Sequence, residues 1–105
     1  MQATNLAQNG ILGPFKVPQD RTQIAAIATP STAAAGAVFV LQAEFFPDEW
    51  TTIGVFDGVL NVPAVQITGP SQYAWADVSG AQRVQVKRTD GTGGDGSVGL
   101  DVKQA

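Results

Sequence analysis

Apolar and polar positions alternate most clearly at the C-terminal end of the chain. In SVGLDVKQ, Val98, Leu100 and Val102 share one face, while Ser97, Gly99, Asp101 and Lys103 share the other. That two-residue period is the signature of a half-buried strand. RVQVKRT repeats it, with Val84 and Val86 on one side and Arg83, Gln85, Lys87 and Thr89 on the other. Two neighbouring strands of this kind predict a hairpin, joined through DGTGGDG, whose four glycines supply positive φ for a flexible loop.

The same reading extends upstream. QYAWADVSG puts Tyr73 and Trp75 on one face of a third strand that ends at Ser79-Gly80. NVPAVQITGP is a fourth, and Pro63 near its start argues for an edge position or a strand beginning. WTTIGVF is a fifth, bounded by Pro47-Asp48-Glu49 and Asp57-Gly58. AVFVLQAEFF carries Ala37, Phe39, Leu41, Ala43 and Phe45 on one face and Gln42 and Glu44 on the other, as a central core strand would. ILGPFKV can be extended, and TQIAAIAT fits a strand or one turn of helix. STAAAGA reads as a connection, because Pro30 and Gly36 oppose a stable helix.

Seven to eight short strands bounded by turn residues predict an all-β fold, an antiparallel β-sandwich of jelly-roll type. The sandwich is expected over residues 21–105, after an N-terminal arm and first extended segment over 1–20. Its expected core is Phe39, Leu41, Phe45, Trp50, Trp75, Val84, Val86, Leu100 and Val102.

Composition adds that these surfaces are meant to be covered. At 105 residues the chain has the length of one domain. Hydrophobic residues make up 44%, and charged residues only 14%, against about a quarter in ordinary soluble domains. Spare apolar segments remain in NGILGPF and on the second face of AVFVLQAEFF (Val38, Val40, Phe46), which predicts subunit contacts. The polar start MQATNLAQNG cannot pin itself by burial, so a neighbouring subunit or partner is expected to order it.

Charge and cysteine content narrow the partners. The net charge is −3 and the six basic residues form no stripe, which argues against nucleic acid, although Lys87-Arg88 could hold one phosphate or carboxylate. Cysteine is absent, so no disulfide supports the fold. The run from Ala33 to Phe46 is too short and too interrupted to cross a bilayer as a helix, and no membrane partner is expected. The N-terminus has neither the basic nor the apolar region of a secretory signal, so synthesis in the cytoplasm is expected.

Candidate chemistry is sparse. Without histidine, cysteine or a GxSxG motif, most nucleophilic mechanisms drop out, and no enzyme activity, cofactor or metal is expected. Glu44, Asp48, Glu49 and Asp57 are the one carboxylate group that could serve a glycosidase, but Asp and Gly here also suit hairpin turns. In DGTGGDG, Asp90 and Asp95 could contact calcium, yet the loop lacks the spacing and terminal Glu of an EF-hand. Trp50, Tyr73 and Trp75 could form a sugar-stacking platform or, as the commoner use of such rings, pack in the core or an interface.

DEWTTIGVFDG (48–58) followed by QYAWADVSGAQRVQVKRTDGTGGDGSVGLDV (72–102) resembles small all-β virion modules of tailed bacteriophages. In these modules a strand carrying W-T follows an acidic turn, and V-S-G-x-x-R-V-x-V leads through a Gly-rich loop to a last alternating strand. The resemblance implies a virion structural protein, foremost a capsid decoration (cement) protein that bridges capsomers, or else a head-fibre or tail component. It further implies a homo-oligomer, trimer or dimer, with the major capsid protein or other virion proteins as partners. Ile11, Leu12, Pro14 and Phe15 are then the expected arm or docking segment. The alternative is a carbohydrate-binding module stacking a ligand on Trp50 and Tyr73.

Overall fold

The structure, a computed structural model, describes residues 3–19, 22–90 and 96–104. These form eleven strands: β1 (Thr4–Leu6), β2 (Ile11–Lys16), β3 (Gln23–Ala28), β4 (Val38–Phe46), β5 (Glu49–Ile53), β6 (Val55–Asp57), β7 (Val62–Ala64), β8 (Gln66–Thr68), β9 (Tyr73–Asp77), β10 (Arg83–Arg88) and β11 (Gly96–Gln104). One antiparallel sheet has the order β1-β11-β3-β9-β6-β7, and the other β2-β10-β4-β5, with β8 also on β4. Together they make a β-sandwich.

Eight of the strands reproduce the jelly-roll order, β1-β11-β3-β9 facing β2-β10-β4-β5. The remaining three come from one detour. β5 pairs with Leu41–Phe46 of β4, and β8 later pairs with Val38–Val40 on the same strand. Between them the chain crosses at Gly54 to the other sheet, forms the β6–β7 hairpin at its edge, and returns at Val65. WTTIGVF and NVPAVQITGP are therefore each split between two sheets. Pro63 sits in the edge strand β7, where its missing N–H leaves no ladder bond unmade.

The core lies between the sheets. Phe39, Leu41, Val84, Val86, Val98 and Ile27 are almost completely buried, each contributing about 1.5–3 kcal/mol by leaving water. Leu100 and Val102 pack against this cluster from its margin. Three expected core residues lie elsewhere: Phe45 and Trp75 are 40% and 37% exposed, and Trp50 is half-buried. On β9 the inward positions are Ala74 and Ala76, so Tyr73 and Trp75 point outward. Alternation separates two faces, and here the small residues fit beneath the large side chains of the opposite sheet.

Two further expectations change. β10 and β11 are not a hairpin, because β10 pairs with β2 and β4 while β11 pairs with β1 and β3. Their apolar faces meet across the core instead, and the intervening loop, whose residues 91–95 lie outside the described residues, joins the two sheets. The polar N-terminus needs no partner to pair it: Thr4, Asn5 and Leu6 lie opposite Val98, Ser97 and Gly96, and Leu6 is buried. Within 1–20, then, β1 and β2 are outer strands of the two sheets.

Candidate interaction surfaces

The exposed face of the five-stranded sheet holds a polar row. Arg83 lies between Glu44 and Lys16, and Trp50 is the partner of Glu44 on its far side. Arg83 grips the Glu44 carboxylate with two charge-assisted bonds, Nε to Oε1 at 2.8 Å and Nη2 to Oε2 at 2.6 Å. The Asp48 N–H adds a third at 2.9 Å, and the guanidinium stands 5.3 Å from the Trp50 ring centre in a cation–π contact. The hydrogen bond from Arg83 holds Glu44 down to about pKa 2 despite its burial. A carboxyl so held does not donate protons near neutrality.

A second ion pair is buried at one end of the core. Val84, Val86 and Arg88 share the inward face of β10, so the alternation itself aims an arginine between the sheets. Its Nε and Nη2 donate to Asp90 at 2.8 and 3.0 Å, and Nη1 donates to the Leu6 carbonyl at 2.9 Å. Asp90 Oδ1 also accepts the Val38 N–H. Gly96 is packed so closely here that an added Cβ would stand 2.5 Å from the Leu6 carbonyl and 2.6 Å from Arg88 Nη1. Arg88 therefore ties β1, β4 and β10 together, and is not a surface cation beside Lys87.

Of the other candidate carboxylates, Asp48 and Asp57 have local tasks, and Glu49 is exposed at the start of β5. Asp48 occupies the β4–β5 turn at φ 63°, and Asp57 Oδ1 accepts the N–H groups of Val59 and Leu60 at 2.9 and 3.0 Å. Of the two aspartates in the Gly-rich loop, Asp90 is engaged by Arg88, and Asp95 lies outside the described residues. Among the described residues no three acidic groups gather as metal ligands.

The exposed apolar groups fall into separate patches. On the six-stranded sheet, Phe56 and Trp75 are tilted against each other with centroids 5.4 Å apart, and Tyr73 stands beside them over Gly58. Trp50 lies on the other sheet's outer face, so Trp50 and Tyr73 do not form one stacking platform. Along β2, Ile11, Pro14 and Phe15 are exposed, whereas Leu12 turns inward against the core. On the opposite lateral edge, the β6–β7 hairpin and its exit expose Val59, Leu60, Val62 and Val65. That aliphatic cluster was not anticipated, although GVLNVPAV is apolar without strand alternation between two turn signals.

No protein-family model matches the chain, and no curated protein matches it in sequence. Among solved structures, the fold is similar to that of the SPBc2 prophage-derived protein YomS, with a TM-score of 0.66 and 16% identity. The match covers 96% of this chain and 91% of that one. At that identity the likeness defines the architecture shared by the two proteins, the β-sandwich described above.

Proposed function

We propose that this chain is a structural protein of a phage virion, and within that class a capsid decoration protein that bridges neighbouring capsomers. The observation that carries the reading is the pair of apolar patches on opposite lateral edges of the sandwich. One runs along edge strand β2, with Phe15 at the rim of the inner face beside Val84, Ile11 on the outer face beside Lys87 and Pro14 between them, and the other comprises Val59, Leu60, Val62 and Val65 around the β6–β7 hairpin. A bridging protein requires two such contacts, and repetition by symmetry multiplies weak individual ones. Likeness in fold to a prophage-derived protein supports the phage setting.

Co-sedimentation with empty capsids of the phage that carries this chain tests the reading. Saturable binding at a fixed number of copies per capsomer, with a rise in capsid melting temperature, is expected. Ile11→Ser with Phe15→Ser, or Leu60→Ser with Val65→Ser, should each weaken binding and remove the thermal protection. Unchanged binding by both pairs refutes the bridge. The carbohydrate-binding alternative now rests on Tyr73, Trp75 and Phe56, with Trp50 on the other sheet.

A further inference from the structure

The outer face of the six-stranded sheet is self-complementary row by row. β3 runs between β9 and β11, and three cross-strand rows point outward. In the first row Ile24 lies between Asp77 and Lys103, in the second Ala26 lies between Trp75 and Asp101, and in the third Ala28 lies between Tyr73 and Gly99. Each row thus sets a group on β9 against a natural counterpart on β11: an acid against a base, an indole N–H against a carboxylate, and a phenol ring against a glycine. A hollow of about 230 Å³, lined by Ala3, Ala28, Thr29, Pro30 and Gly99, lies at the glycine end of the third row.

We propose that this face packs against the same face of a second copy about a two-fold axis parallel to β3. Such an axis preserves position along the strands and exchanges the two sides of β3. Every β9 side chain then meets the β11 position of the same row in the other copy. Asp77 faces Lys103 of the partner subunit, Trp75 faces Asp101 of the partner subunit, and Tyr73 enters the hollow beside Gly99 of the partner subunit. The first two contacts are charge-assisted, and the third covers a ring that is 42% exposed in the single chain.

A second copy fits this face better than an unrelated partner because a two-fold interface must be complementary to itself, and three consecutive rows meet that condition. Asp101 and Lys103 make no side-chain hydrogen bond or ion pair among the described residues, so both are available to a partner. The contact involves little more than three strands, below the ~800 Å² per partner of a standard interface. The dimer is accordingly a weak one, with a dissociation constant of roughly 10–100 µM. This inference stands apart from the virion reading, since it concerns the free chain.

Sedimentation equilibrium of the full chain, from about ten micromolar to about a millimolar, reads the dimer directly. Asp77→Lys and Lys103→Asp each bring like charges together, and each should weaken self-association at least about tenfold, roughly 1.4 kcal/mol. Mixed with each other, the two variants restore both opposite-charge contacts and should dimerise as the unmodified chain does. Circular dichroism confirms folding, and Lys103→Asp leaves intact the Asp77 Oδ1 bond to the Ser79 N–H at 2.8 Å. Three results would overturn the proposal: an unmodified chain monomeric at a millimolar, single variants that dimerise normally, or a mixture that stays monomeric. Quenching of Trp75 by soluble glycans with no self-association would assign the face to a sugar ligand instead.

Discussion

Replacing Asp90 by Asn isolates the role of the buried arginine. Asn keeps an oxygen for the Val38 N–H but removes the negative charge that Arg88 meets at 2.8 and 3.0 Å. Both side chains are nearly sealed from water, at 2% and 6% exposure, so the guanidinium would keep its charge and lose the Asp90 carboxylate that meets it there. Breaking a buried pair from one side costs about 3–5 kcal/mol, a large part of the roughly 5–15 kcal/mol that holds a domain folded. With a urea m-value of about 1.5 kcal/mol/M, a loss of about 4 kcal/mol lowers the midpoint by roughly 2.7 M. Arg88→Met should cost a similar amount, because it takes the guanidinium away from a nearly buried carboxylate. The double variant removes both charges and should cost well under the sum of the two. Equilibrium urea titration followed by tryptophan fluorescence completes the cycle. Additivity within about 0.5 kcal/mol would show that the two groups act independently and would refute the account.

Glu44→Gln should alter the acid limb of stability. Because Arg83 depresses the folded-state pKa from 4.5 to about 2, Glu44 contributes stability above the unfolded value, and the contribution disappears as pH falls through about 2. Melting temperatures of the two proteins should therefore differ at neutral pH and converge between about pH 4.5 and 2, whereas parallel curves would show that the pair adds nothing. Deleting residues 1–15 strips β1 and most of β2 and removes the buried Leu6, so the product should be destabilised or aggregate through the uncovered edges of β10 and β11. A soluble truncated chain with an unchanged urea midpoint would show the two strands to be dispensable.

Face assignment was legible where the alternation was long and one neighbour was unmistakable. AVFVLQAEFF announced β4 and its buried side as far as Ala43, beyond which a register irregularity leaves Phe45 exposed, and the jelly-roll class followed from strand count and turn spacing. Pairing was less legible, because alternation names a buried face but not the strand beside it, and β10 and β11 were separated on that account. Aromatic content misled for a related reason. Trp75 alternates with Ala74 and Ala76, and hydrophobicity favours burying the ring, while the space between these sheets admits only the alanines. Arg88 was readable, since it continues the inward positions Val84 and Val86, and Asp90 falls two residues further on the same period, but it lies past the end of the strand among turn residues, where alternation no longer assigns a face.

The β6–β7 detour separates architecture from variation. β4 receives β5 and β8 along one side whether the chain between them is short or long, so the jelly-roll ladders do not depend on what the hairpin displays. Lengthening a loop at its tip costs only about 0.6 kcal/mol per doubling, which the rest of the sandwich can absorb. Residues 58–61 are therefore a natural insertion point, where peptides or whole small domains could be carried outward without renegotiating the core.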